Sequence, residues 1–185
     1  NGFIKKFSDI FKENKMESIA EGTFFSSILF ISALDETNKI ETFLEKFENA
    51  ESPQMQGRYR AVLGQVRDQN ASKKIVEFML DGRIRGADCP YILASMITNK
   101  YIGKKSWKVI KENFNDLLCV MPDWTASRIL DALPAIYDEE FAGDIKNFIK
   151  KNPLPSSEKL AAQKLERLEA NIEFMDNLKE VNNET

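Results

Sequence analysis

The side chains able to do chemistry are few. The sequence contains no histidine and two cysteines, Cys89 and Cys119, far apart and outside any Cys-x-x-Cys spacing. Ser-His-Asp and Cys-His nucleophile systems need an imidazole as proton acceptor and are excluded. No His/Cys set with zinc-ligand spacing can be drawn. Cys89 follows Asp88 at an expected helix start, where a thiol pKa can fall; a small apolar filler is the favoured reading. Ile102-Gly103-Lys104-Lys105-Ser106 glances at a phosphate loop. It lacks the upstream glycine, Ser106 does not directly follow the first lysine, and no strand leads into it, so it is rejected. Glu139 and Glu140 read as negative charge at a helix N-terminus, not as a general acid/base pair. Arg58, Arg60, Arg67, Lys73 and Lys74 are expected to form a solvated surface, with an anion site as the minor reading. Arg83 and Arg85 fall in the turn before the helix that Asp88 starts. A guanidinium there either pairs with Asp88 or holds a carboxylate bidentately from a concave wall, and the structural pairing is favoured.

The elements that must position these groups read as helices. Phe3, Ile4, Phe7, Ile10 and Phe11 share one helical face. Further helices are expected from about Glu17 to Leu34 and from about Glu36 to Phe47. Ser52-Pro53 is an N-cap followed by proline at the first helical position. Asn70 is expected to cap a helix that stops at Gly82, and Asp88 to cap the next, with Pro90 in its first turn. Gly103 precedes a helix with Trp107, Ile110, Phe114 and Leu117. Pro122-Asp123 opens another through Ile129, Leu130 and Leu133. Asp138-Glu139-Glu140 load an N-terminus that the helix dipole favours, and that helix ends at Lys150-Lys151. Ser156 or Ser157 caps the last helix, whose Leu165, Leu168, Ile172 and Met175 form a packing stripe. No segment alternates as a strand would.

The expected starts fall near residues 53, 71, 88, 104, 123, 138 and 156, each about 33 to 35 residues from the next but one. That is the length of a helix-pair repeat. The fold class expected is all-α: antiparallel helix pairs stacked as a HEAT-like superhelical solenoid. The whole of 1–185 reads as a single helical domain, with 1–50 as leading helices and the solenoid over 52–181.

Composition narrows the partners. Of 185 residues, 43% are hydrophobic and 30% charged, with a net charge of −3. That supports a real core. The balanced, slightly acidic surface argues against nucleic acid, which draws a basic face. No apolar run has the length of a membrane span. The sequons at Asn70 and Asn183 are the kind that arise by chance. The first residue is Asn1, with no leader pattern behind it, so the chain is expected to be a piece, internal or C-terminal, of something longer.

A succession of motifs resembles a known family. Ile84-Arg-Gly-Ala-Asp88 is followed by Asn99, Gly103 and Trp107. Then come Lys108 through Leu117, Phe141-Ala-Gly-Asp-Ile-Lys-Asn-Phe148, Asn152-Pro-Leu-Pro-Ser-Ser-Glu158, and the helix with Gln163, Leu165 to Ile172 and Phe174-Met175. The order and separations resemble the C-terminal helical domain of the zinc aminopeptidases of the aminopeptidase N type, the puromycin-sensitive branch being nearest. The resemblance covers roughly 52–181. Ala87 stands where that family has glutamine, Ser106 where it has alanine, and Phe114 and Phe174 where tryptophan is frequent.

What the resemblance implies is a non-catalytic cap domain. The family's zinc helix and substrate-amine loop have no counterpart in this chain, so no cofactor is expected within it and zinc is expected in the missing catalytic domain. The implied partners are that upstream catalytic domain and a peptide substrate enclosed by the concave face. Arg85 is the residue expected to reach a peptide's C-terminal carboxylate. A cytoplasmic setting is implied by the branch and fits the absence of disulfide-style cysteines. The reading from another class is an independent helical-repeat adaptor that binds a protein on its concave face.

Overall fold

A computed structural model describes residues 2–13, 23–155 and 157–183. The elements are α1 (Gly2–Lys12), α2 (Thr23–Ala33), α3 (Ile40–Glu48), α4 (Pro53–Leu63), α5 (Ala71–Leu80), α6 (Cys89–Thr98), α7 (Gly103–Glu112), α8 (Phe114–Val120), α9 (Asp123–Ala126), a 3₁₀ segment (Ser127–Ala135), α10 (Glu139–Lys151) and α11 (Glu158–Asn183). No strand occurs among the described residues. The start of the second expected helix, Ser156 and the end of the Asn183 sequon lie outside them.

The helices form two layers. One runs α2, α4, α6, the 3₁₀ segment and α11, each packed on the next. The other runs α3, α5 and α7, then α10, which joins α7 through Trp107 and Phe148 with ring centroids 5.2 Å apart. Alternate helices stack, and α3 with α4, α6 with α7 and α10 with α11 pack across the layers. The core lies between the layers. Phe43, Leu63, Ile75, Met79, Leu93 and Ile110 are all 0% exposed.

Local chemistry explains most of the ends. Ser52 Oγ accepts from the Met55 amide at 3.2 Å, with Pro53 at the first helical position. Asp138 accepts from the Phe141 amide at 2.8 Å. Gly82 adopts φ +73° just past α5, a left-handed stop that favours glycine.

Elsewhere the third dimension overrides the sequence. Asn70 and Asp88 occupy N-cap positions, but neither side chain caps its own helix. Helix α3 begins at Ile40, not Glu36, because Asp35 turns the chain by accepting from the Thr37 amide at 2.9 Å. The Ile40 amide is then taken by Asp68 at 3.1 Å. The helix expected to run unbroken past Phe114 divides at Asn113, whose φ and ψ of −116° and 16° leave the helical region. The divided piece lets Phe114 meet Phe148 edge-on at 5.0 Å. After Pro122 only one α-turn forms, and Ser127–Ala135 is a 3₁₀ helix with Pro134 inside it. A proline there lacks the amide hydrogen that a continuing α-helix requires. Before α11 the Ser157 hydroxyl donates to the Leu154 carbonyl at 2.7 Å.

Polar ties between like positions in the array hold the repeats in register. Ser72 and Ser106, both buried and 34 residues apart, share a hydrogen bond of 2.8 Å. Asn99, 4% exposed, donates to the carbonyls of Gly64 and Val66. These groups are buried and would be costly if unpaired.

Candidate functional site

Arg85 lies in the turn between α5 and α6, and that turn is fixed on three sides. The amides of Arg83 and Ile84 donate to the Phe78 carbonyl at 3.0 and 3.3 Å. Ile84 plugs the core at 1% exposure. A methyl group on Gly86 would sit 2.0 Å from the Val120 carbonyl oxygen, so the turn is pressed against the end of α8. Only glycine permits that approach.

Asp88 organises the charge. Its carboxylate accepts from Arg85 Nε at 2.8 Å and from Arg60 Nη1 on α4 at 2.5 Å. The Asp88 side chain is 16% exposed and that of Arg85 76%. The carboxylate thus sits inside, bridging α4 and α6, while the Arg85 guanidinium is fixed at one edge and open to solvent. Among the described residues Nε is the only side-chain atom of Arg85 with a hydrogen-bond partner. The arrangement can hold an anion, preferably a planar carboxylate facing the Nη pair. Cys89, next along, is 0% exposed. Burial, and then the Asp88 charge, push its thiol up to about 12, so it is a core residue.

The other basic residues are dispersed, each to its own neighbour. Arg83 pairs with Glu48, its Nε 2.6 Å from the carboxylate, and lies 3.5 Å over the Phe78 ring. Arg58 covers Phe25 at 5.3 Å. Arg67 stacks on Tyr101 at 4.2 Å and reaches Glu36 at 3.4 Å. Lys74 pairs with Glu77 along its own helix. The cluster in the sequence is therefore not a cluster in space, because α4 and α5 lie in different layers.

Residues 102–106 form the start of α7, past the end of α6 remote from Arg85. A methyl on Gly103 would lie 2.4 Å from the Ile97 carbonyl oxygen, so this glycine lets α7 start against α6. Lys104 pairs with Asp138 at 2.6 Å. The ammonium first, then the Phe141 amide, hold the Asp138 carboxyl below its ordinary value. Glu139 and Glu140 are exposed in the first turn of α10.

Sequence reading missed Asp68, Asp144 and Trp124. Asp68, 4% exposed, accepts from the amides of Ile40 and Asn70. Asp144 accepts from Trp107 and Lys111. These partners stand 28 to 37 positions away except for Asn70, and no local pattern marks them. Trp124 is 75% exposed. It follows Pro122, whose ring borders Gly86, and so shares an edge with Arg85. Its signal was available, as an aromatic in the first turn after a helix-starting proline.

Among the described residues no three His, Cys, Asp or Glu groups gather as metal ligands, and the sequence offers no histidine. Among the described residues no donor set fits zinc. No helix among the described residues is long and apolar enough to cross a membrane.

The helical array has relatives among known proteins. Over 187 aligned positions the chain is 22% identical to aminopeptidase M1-B of Oryza sativa subsp. japonica, with 97% of the chain and 21% of that protein covered. The chain thus spans about a fifth of that relative's length. Residues 4–170 match the model of the ERAP1-like C-terminal domain. That stretch includes Arg85, Asp88, Trp107 and Asp144 and most of the two-layer array, and the chain belongs to the ERAP1-like C-terminal domain family.

Proposed function

We propose that this chain is the non-catalytic C-terminal cap of a zinc metallo-aminopeptidase that removes N-terminal residues from peptides. The observation that carries the reading is the family match over residues 4–170, together with a relative named as an aminopeptidase and about five times as long. On this reading residues 1–185 act as one helical domain of a longer chain. Zinc and bond cleavage belong to a catalytic domain upstream, a reading supported by the lack of a gathered ligand set among the described residues and of any histidine in the sequence.

The cap encloses the substrate chamber and gates entry. Such a role needs a body that swings without deforming, because hinge and lid movements limit turnover in many enzymes. The register ties support that rigidity: Ser72 to Ser106, Asn99 to Gly64, and Trp107 to Asp144 each link consecutive repeats. Arg85 contacts the peptide's C-terminal carboxylate. Asp88 takes the Nε edge and presents the Nη edge for a bidentate grip. A cytoplasmic setting agrees with two free thiols, Cys89 and Cys119.

The test of the Arg85 role is the length dependence of cleavage in the full-length enzyme. With Arg85→Ala the preference for longer peptides over a one-residue amide should shrink by about tenfold, the loss of roughly one charge-assisted pair. Arg85→Lys should recover part of it. An unchanged length profile removes Arg85 from the account.

A further inference from the structure

We propose that the outer face of α1 and α2 packs against a further helix pair of the parent polypeptide, the repeat directly upstream of Asn1. Among the described helices only α2 and α6 contain no charged residue. Helix α6 lies inside its layer, between α4 and the 3₁₀ segment. In the same layer α2 has a neighbour on one side only, α4. Phe25 faces that side, its ring edge-on to Tyr59 with centroids 6.0 Å apart. A helix that is apolar all round belongs in an interior, so α2 has the composition of an interior helix in an end position.

The uncovered side of α2 is apolar. Phe24 is 48%, Phe30 42% and Leu34, just past the helix, 37% exposed. At about 100° per residue these three share about a third of the helix circumference. They lie opposite Phe25, Leu29 and Ala33, none more than 1% exposed. The patch runs on into α1. The Phe24 ring meets Phe7 edge-on at 6.2 Å, and Phe7 meets Phe3, itself 65% exposed, at 4.7 Å. Elsewhere α1 is bound into the array, with Phe11 stacked on Phe43 of α3 at 4.6 Å. The patch is thus continuous with the interface that holds the first helix pair, and it lies where the preceding pair of the stack would lie.

The architecture identifies the occupant. Each pair in a stack is covered by its neighbours, and a terminal pair keeps a polar outer face. Here the outer face is aromatic, so the array continues past α1. The family is one of C-terminal domains, and the chain spans about a fifth of its relative's length. Placing the covering pair before Asn1 rests on the cap reading's longer parent chain, and it needs neither zinc nor cleavage. With no charge on α2 to meet, the covering helices present an apolar stripe of Leu, Ile, Val or Phe.

The test uses the full-length product of the gene with the photo-reactive benzoylphenylalanine in place of Phe30. Irradiation should join that position, within one molecule, to a residue among the roughly 40 before Asn1, the span of one helix pair. Hydroxyl-radical oxidation of Phe3, Phe24 and Phe30 should be prominent in the 185-residue chain and lost in the full-length protein. This footprint needs no substitution, so it keeps the test decisive should the photo-reactive protein not fold. The proposal is overturned if position 30 joins instead to the catalytic domain, to a second copy or to nothing. It is also overturned if the three phenylalanines stay open to oxidation in the full-length protein. An upstream cross-link in a full-length protein that lacks zinc supports the packing and removes the aminopeptidase reading, whereas a cross-link to a zinc-bearing catalytic domain does the reverse.

Discussion

The indole N–H of Trp107 donates to the carboxylate of Asp144 at 2.9 Å across 37 residues of chain. The same carboxylate oxygen takes the Lys111 ammonium at 2.6 Å, and Trp107 is 2% exposed. This contact joins α7 to α10 at the point where the second layer continues past the divided helix. Asp144→Ala should cost about 1–3 kcal/mol, since it strands a part-buried donor. Lys111→Ala removes only a half-exposed ion pair and should cost under about 1 kcal/mol. Urea unfolding followed by circular dichroism separates the two, and equal losses would show that the indole bond does not hold the layer.

The glycines divide by what surrounds them. At Gly86 a methyl would meet the Val120 carbonyl at 2.0 Å, whereas at Gly57, inside α4, nothing lies within 4 Å. Gly86→Ala should therefore lower the melting temperature and disturb the Arg85 turn. Gly57→Ala should raise stability by about 0.5–1 kcal/mol, the helix-propensity difference. Thermal melts of the two variants should move in opposite directions.

The two thiols should react on different timescales. Cys119 is exposed and Cys89 is buried, with burial pushing the latter's thiol up to about 12 from an ordinary 9.0. Folding favours the neutral form of Cys89. Its contribution is therefore fully present below the unfolded value and fades as pH rises from about 9 towards about 12. Titration with a thiol-reactive disulfide near neutral pH should modify one cysteine at once and the second only with unfolding. Two fast equivalents would contradict the placement of Cys89.

Acid should act through the cap of α10. Lys104 foremost, and then the Phe141 amide, hold the Asp138 carboxyl below its ordinary 3.8. A depressed folded pKa means that the stabilisation is present above the unfolded value and is lost as pH falls through the folded one. Lys104→Met should make acid unfolding begin at higher pH, and Asp138→Asn should flatten that part of the profile. A pH titration of ellipticity reads both, and an unchanged midpoint for Lys104→Met would show the pair to be inert.

The sequence discloses what is encoded within a few residues. Ser52-Pro53, Gly82 and the acidic start of α10 mark helix ends through groups two or three positions apart. The spacing of starts near 33 to 35 reappears as hydrogen bonds at separations such as 34 for Ser72 to Ser106 and 35 for Asn99 to Gly64. Asp88 and Asn70 mislead because a cap-forming side chain is claimed elsewhere or left unused; Asp88 is drawn off by Arg60 from the neighbouring layer. The break at Asn113 depends on Phe148 arriving from α10, and no window around Asn113 contains that residue. Arg85 and its pairing with Asp88 three positions on were legible in the turn, whereas the contact of Gly86 with Val120 and Pro122 depends on how two turns distant in sequence meet.

The central claim, that this array caps a zinc aminopeptidase, is tested most directly by zinc content and N-terminal residue release, measured on this chain and on the full-length product of its gene. The account predicts that this chain is metal-free and inert while the full-length protein holds zinc and releases N-terminal residues. A full-length product without zinc or without that activity would contradict it and favour a helical-repeat adaptor.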